Sequence, residues 1–206
     1  MTDAKTHWNN VYLSKQPSEV SWYQAHLHTS IELIERSGVT QTDHVIDVGG
    51  GASTLVDDLL DRGFKNLTVL DISSNAIDVS KTRLGSRGAL VHWISDDILS
   101  VHLDEAKYRF WHDRAVLHFL TNLEDRRTYI GQVRHALLPG GFVIISAFSL
   151  DGPSRCSGLE TFRYSRESLL AEFGPGFHLR EVRSERHRTP AGAVQDFLYC
   201  LLSSEG

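Results

Sequence analysis

The sequence predicts an α/β fold: a doubly wound, seven-stranded mixed sheet that ends in an antiparallel hairpin and is preceded by a helical segment. Three observations predict it. From residue 44 onward, short β-rich runs alternate with helical stretches, the pattern of βαβ units and a parallel sheet. The first of these runs are nearly all apolar, as expected of strands covered on both faces. The last two, FHLREVRSERHRT (177–189) and VQDFLYCLL (194–202), are joined only by PAGA, too short for a crossover helix, so they should pair antiparallel.

The elements follow in order. SEVSWYQAHLHTSIELIERSG reads as a helix from a capping Ser18 to Gly38. It belongs to an N-terminal segment, residues 1–40, that is placed to cover the carboxyl ends of the strands as a lid. Strands are expected at 44–48, 67–71, 90–95, 108–113 and 141–148. Between them, STLVDDLLDRG runs from a capping Ser53 to Gly63, and SNAIDVSKTRLG from Ser74 to Gly85. TNLEDRRTYIGQVRHALLPGG carries a capping box, Thr121 with Glu124, and places Ile130, Val133 and Leu137 on one face. Pro139-Gly140-Gly141 stops it. SLDGPSRCSGLETFRYS, after the fifth strand, is a loop of a length that usually signals function.

The 206 residues suffice for one domain with a full core, expected to span 1–206. Hydrophobic residues make up 41% and charged residues 23%, ordinary for a globular protein. A net charge of -5 and a pI of about 6.1 argue against a dedicated nucleic-acid binder, which needs basic excess to neutralise phosphates. No apolar run approaches a membrane span, and MTDAKTHWNN has no secretory signal. Two cysteines, Cys156 and Cys200, are too few for a disulfide framework or a zinc site. The expectation is a reduced cytoplasmic protein with no metal; its oligomeric state is left open.

HVIDVGGGASTLVDDLL, residues 44–60, is a strand, a glycine turn and a helix start. Gly49 and Gly51 fill the first two positions of a G-x-G-x-x-G turn, but the third falls on Thr54, and there is no Lys-Ser/Thr pair of a P-loop. Asp47 precedes the glycines. A carboxylate repels a diphosphate and attracts a cation. S-adenosylmethionine (SAM) carries an ammonium and a sulfonium and no phosphate, so it suits this turn better than NAD. Asp71 ends the second strand, where an acid accepts ribose hydroxyls. Asp97 follows the third strand, placed to accept from the adenine amino group while Ile98 packs on the ring.

These segments resemble the class I SAM-dependent methyltransferases. VIDVGGGAS is similar to the first family motif, VLDIS to the second, SDDIL to the third and FWHDRAVLHF to the fourth, with LLPGGFVII at the turn into the fifth strand. The resemblance covers roughly residue 44 to the end and implies a Rossmann-like fold. The family's turn usually has a further glycine where Ser53 stands, and Cys or Ser where Gly50 stands. The resemblance implies that Asp47, Gly49, Gly50 and Gly51 border the methionine part, Asp71 holds the ribose, Ile72 flanks the adenine, and Asp97 and Ile98 read it. It implies that Asp113 lies near the methyl group. The product is then S-adenosylhomocysteine.

Methyl transfer from a sulfonium needs alignment and a deprotonated nucleophile. His112 is the candidate proton acceptor beside Asp113, with His118 nearby. The chain has HDRA where relatives that methylate planar amino groups carry Asn/Asp-Pro-Pro-aromatic, which leaves small molecules and protein lysines as acceptors. Trp22 and Tyr23 are candidates to cover the cofactor or favour a cationic or apolar acceptor. Arg155 and Cys156 are candidate pocket residues, and His187 is placed to approach Cys156. The leading expectation is a small-molecule methyltransferase; the alternatives are a protein-lysine methyltransferase, an NAD(P)-dependent oxidoreductase and a non-catalytic SAM-binding protein. The oxidoreductase lacks a Tyr-x-x-x-Lys pair: Tyr12 and Lys15 have the wrong spacing.

Overall fold

The structure, a computed structural model, describes residues 4–206; residues 1–3, where the expected domain and lid segment begin, lie outside the described residues. The N-terminal segment forms α1 (Ala4–Ser14), a 3-10 turn (Pro17–Glu19) and α2 (His28–Ser37). Then follow β1 (His44–Val48), α3 (Leu55–Asp61), β2 (Asn66–Asp71), α4 (Ser74–Leu84), β3 (Val91–Ser95) and β4 (Tyr108–Arg114). The second half holds α5 (Leu123–Ala136), β5 (Leu137–Phe148), a two-residue-per-strand hairpin β6 (Arg155–Cys156) and β7 (Leu159–Glu160), α6 (Arg166–Phe173), β8 (Phe177–Arg188) and β9 (Val194–Ser204).

Seven strands form one sheet in the order β3-β2-β1-β4-β5-β9-β8. β1 to β5 are parallel, and β9 runs antiparallel to both β5 and β8. The doubly wound sheet and its terminal hairpin are as the sequence predicts. Strand order reverses between β1 and β4, the crevice where such sheets bind ligands.

Side-chain alternation divides the core in two. On one face Ile46, Trp111 and Ile145 pack under α5 and α6 through Tyr129, Val133 and Phe173. On the other Val45, Phe110 and Ile144 pack under α2 and α3 through Ile34, Leu55 and Leu59.

Several local expectations shift. The helix expected from Ser18 starts only at His28. The carbonyls between are taken by tertiary partners instead of helical N–H groups: Ser21 O accepts from His187 Nε2 at 2.7 Å, Trp22 O from Arg114 Nη1 at 2.9 Å, and Gln24 O from Thr54 Oγ1 at 3.0 Å. The cap of α4 is Ser73, whose hydroxyl accepts from Ala76 N, and not Ser74. The cap of α5 is Asn122, which accepts from Glu124 N and replaces the expected Thr121 box. Leu137 opens β5 and is buried there without extending the helical face. The long loop after β5 contains the small hairpin, and α6 follows it under a capping Ser165.

A buried polar chain joins β4 to α5. Trp111 Nε1 donates to Tyr129 Oη at 2.9 Å, and the Tyr129 hydroxyl donates to Asp113 Oδ2 at 2.6 Å. Tyr129→Phe keeps the ring and strands both partners. It should lower stability by about 1–3 kcal/mol in urea unfolding. An unchanged midpoint and slope would show that this chain contributes nothing to the fold.

Candidate active site

The carboxyl ends of β1, β2 and β4 meet at the glycine turn. Gly49 takes φ 71°, and its N–H donates to Leu70 O at 2.7 Å. A Cβ there would stand 2.1 Å from Val116 Cγ2, so the loops after β1 and β4 touch only because Gly49 has none. At Gly50 a Cβ would lie 2.2 Å from Asp47 Oδ2. Gly51 N donates to Asp71 Oδ2 at 2.9 Å, which ties the turn to the tip of β2.

Asp47 and His112 are register partners on β1 and β4 and face α2. Asp47 Oδ1 lies 2.7 Å from His112 Nδ1, and His112 Nε2 lies 2.8 Å from Ser30 Oγ. All three side chains are buried. Both nitrogens of His112 are therefore engaged, and the expected proton acceptor is a bridge between Asp47 and α2. Asp47 Oδ2 has no hydrogen-bond partner.

Arg114, the next residue but one, was placed at the β4 tip by the sequence but given no role there. Its Nε donates to Tyr199 Oη at 2.9 Å, Nη1 donates to Trp22 O, and the guanidinium lies 4.7 Å from the Phe197 ring centroid. Nη2 stands 3.7 Å from Glu185 Oε1 and has no hydrogen-bond partner. The signal was a charge at the end of an otherwise buried strand. Asp47 and Arg114 line one narrow cavity together with Gly49, Gly50 and Ser53; Trp22 and Tyr23 line it too. Two groups of opposite charge, each with one unpartnered atom, thus line the same small space.

A wider cavity, about 1220 Å³ with its open mouth included, shares Tyr12, Trp22, Gly49 and Arg114 with the first. Asp71, Ile72, Asp97 and Ile98 line it together, as expected of neighbours at successive strand ends. Asp71 accepts from Ser73 N at 2.8 Å as well as from Gly51 N. Burial pushes its carboxyl up to about 6 against the pull of these two bonds. Asp97 is half-buried, with Oδ1 accepting from Leu99 N at 2.9 Å.

Asp113 corrects an expectation. It is fully buried, lines neither cavity and has both oxygens occupied. Oδ1 accepts from Val116 N at 2.8 Å, and Oδ2 from Leu117 N at 3.0 Å and from Tyr129. Alternation explains it: His112 faces α2, so its neighbour must face α5. There Asp113 holds a tight turn in which Ala115 takes φ 73°. Burial pushes its carboxyl up to about 6.

The other candidates separate. Trp22 meets Trp8 edge-to-face at 5.7 Å and Tyr12 at 6.3 Å, forming a cover from the N-terminal segment. The cover is pinned to α4, where Ser73 Oγ donates to Asn9 Oδ1 at 2.9 Å and Asn75 Nδ2 to Asn9 O at 3.1 Å. His118 and Cys156 line the wider cavity. Burial pushes the Cys156 thiol up. His187 reaches Ser21 O and Gln24, while Cys156 Sγ sits 3.7 Å from Ser21 Oγ; both residues touch Ser21, and no hydrogen bond joins them to each other. Arg155 is exposed, donates to Gly158 O at 2.7 Å and lines neither cavity. Among the described residues no three metal-ligating side chains cluster.

Burial, and then the Arg114 charge, depress His118 to about 3. As pH falls below 6.5 the unfolded chain gains a proton there that the folded chain refuses, so folding loses stability on acidification. Compared with His118→Phe, the wild type should lose about 1–2 kcal/mol between pH 6.5 and 5 in urea unfolding. Parallel stability curves would show that the ring is not held neutral.

A model of the methyltransferase domain matches residues 45–141, from β1 to the turn in β5. Among curated proteins, the chain is similar to EEF1A lysine methyltransferase 2 of Danio rerio, 23% identical over 189 residues, covering 85% of this chain and 75% of that protein. Two solved structures share the fold. One, described as the conversion of a disulfide bond into a thioacetal group during echinomycin biosynthesis, is 19% identical with a TM-score of 0.79, over 98% of this chain and 93% of that one. The other is the Burkholderia thailandensis 1,6-didemethyltoxoflavin-N1-methyltransferase with its substrate and S-adenosylhomocysteine bound, 18% identical with a TM-score of 0.71, over 98% and 84%. With a methyltransferase domain matched across residues 45–141 and methyltransferases among its relatives, the chain is a SAM-dependent methyltransferase.

Proposed function

We propose that the chain methylates a small molecule enclosed beneath its N-terminal segment. The observation that carries this reading is the cover: Trp8, Tyr12 and Trp22 close over the same cavity that Asp71 and Ile98 line. An acceptor must enter that space, and an aromatic cover favours a compact, apolar one.

The residues fit SAM. The unpartnered Asp47 Oδ2 and Arg114 Nη2 suit the ammonium and carboxylate of its amino-acid end. Each oxygen of Asp71 accepts one N–H and keeps a second lone pair for a ribose hydroxyl. Ile72 and Ile98 flank the adenine, and Asp97 accepts from its amino group. When bound, SAM supplies a methyl group already activated by the sulfonium. The chain's part is to orient, to exclude water and to hold charge: His112 and Ser30 fix Asp47, Asp113 fixes the β4 turn, and Arg114 fixes the cover. Gly49, Gly50 and Gly51 allow close approach.

One sheet takes in strands from 44 to 204, which supports a single domain. The two free cysteines and the lack, among the described residues, of a helix long and apolar enough to cross a membrane support a cytoplasmic setting. A second reading, methylation of a protein lysine, is favoured by the name of the zebrafish relative.

Labelled SAM offered to small-molecule pools and protein extracts side by side separates the two. Label is expected in the small-molecule fraction, and label confined to a protein band would overturn the proposal. In calorimetry with S-adenosylhomocysteine, Asp71→Ala and Arg114→Gln should each weaken binding by about 1–3 kcal/mol. Unchanged affinity in either variant removes that residue from the cofactor site.

A further inference from the structure

The half of the wider cavity built by β4, β5, β9 and the β6–β7 hairpin is nearly all apolar. The His118 ring stacks on Phe148 with centroids 4.3 Å apart at 28°, and Phe148 meets Phe197 at 4.8 Å. Phe119 stands edge-on to His118 at 4.5 Å and to Trp8 at 5.0 Å. Such walls suit a flat ring.

Beside Arg114 Nη2, one further polar atom in this half lacks a partner. His118 is fully buried, and Phe148 N–H donates to its Nδ1 at 3.3 Å. An accepting Nδ1 places the proton of the neutral ring on Nε2. Nε2 has no hydrogen-bond partner. Burial keeps the ring neutral. The nitrogen that could take a proton is already occupied, so His118 offers a donor and not a base.

The remaining charges point the same way. Arg114 contributes a cation. Burial keeps the Tyr12 hydroxyl and the Cys156 thiol protonated. Asp71 and Asp97 lie on the β2 and β3 side. Among the described residues of the β4–β5–β9 half, the one carboxylate is Asp125, half-buried in the first turn of α5, where the helix N-terminus favours its charge. This half therefore sets one cation and one neutral donor against a single half-buried carboxylate at its α5 edge, and its one imidazole is not free to act as a base.

We propose that the acceptor is a flat, aromatic or conjugated hydroxyl or thiol compound whose nucleophilic oxygen or sulfur enters ionised, held by His118 Nε2–H. This rests on the small-molecule reading above. The proton leaves to solvent before the acceptor is enclosed. A lone pair of the anion forms the bond to the methyl carbon as the carbon–sulfonium bond breaks, its electron pair staying on sulfur. The products are a neutral ether or thioether and S-adenosylhomocysteine, and no protein base is consumed. His118 holds the reacting atom and is a catalytic residue in that sense.

The test uses sinefungin, in which an amine replaces the methylsulfonium, and 4-nitrophenol, whose absorbance reports its ionisation. Calorimetry first establishes that sinefungin binds; no binding would overturn the cofactor placement and this inference with it. In the sinefungin-loaded wild type, bound 4-nitrophenol should titrate below its value in water. His118→Gln, which keeps a donor near Nε2, should preserve the shift. His118→Phe, which keeps the stack without the donor, should raise the bound titration by about one pH unit. If sinefungin binds but 4-nitrophenol binds only as the neutral phenol, or n-butylamine binds in its place, the inference fails while the cofactor site stands. A His118→Gln variant that matches His118→Phe would equally overturn the donor role.

Discussion

The buried guanidinium of Arg114 is the constraint on which the site depends. It leaves the tip of β4 and engages three other parts of the chain: Tyr199 on β9, the Trp22 carbonyl of the N-terminal segment, and Glu185 on β8. A buried cation is costly unless its hydrogen bonds are met. That cost is what holds the cover in register with the sheet. Glu185 extends the tie, since it accepts from Gln24 Nε2 at 2.7 Å and from Thr29 Oγ1 at 2.6 Å. The irregular segment 20–27 is irregular for this reason. Its carbonyls serve Arg114, His187 and Thr54, and a helix there would have consumed them.

The second constraint is the pleat. His112 and Asp113 are adjacent in sequence and both chemically apt, yet a strand sends neighbours to opposite faces. His112 joins Asp47 and Ser30 over α2; Asp113 joins Tyr129 over α5. Neither is left free to move a proton. The atoms left one bond short are those of a carboxylate and a guanidinium, of opposite sign, and the Nε2 of a neutral imidazole. Preorganised groups of this kind suit a reaction whose leaving group is already activated.

A large part of this was readable from the chain. The alternation of apolar strands and capped helices is local information, and it led to the seven-stranded sheet and the terminal hairpin. Asp47, Asp71 and Asp97 drew notice because they stand at or just past the ends of strand runs, where a charge needs something to meet. Arg114 stood in the same kind of position and was named there without a role beside His112 and Asp113. Arg155 drew notice by its loop, but an exposed loop arginine has water and Gly158 O for partners. His118 was noticed without its role, because its tautomer follows from Phe148, thirty residues away in the chain.

The sequence by itself determined the fold class, the placing of the glycine turn and the acids that follow successive strands, because these depend on periodicity and on residue types at strand ends. Only the tertiary structure decided which of those groups are already satisfied. Whether Asp113 is free or tied, whether His112 is a base or a bridge, and whether Asp47 and Arg114 keep an unpartnered atom are questions of hydrogen-bond partners distant in sequence. Burial makes such partners obligatory, and nothing local in the chain names them.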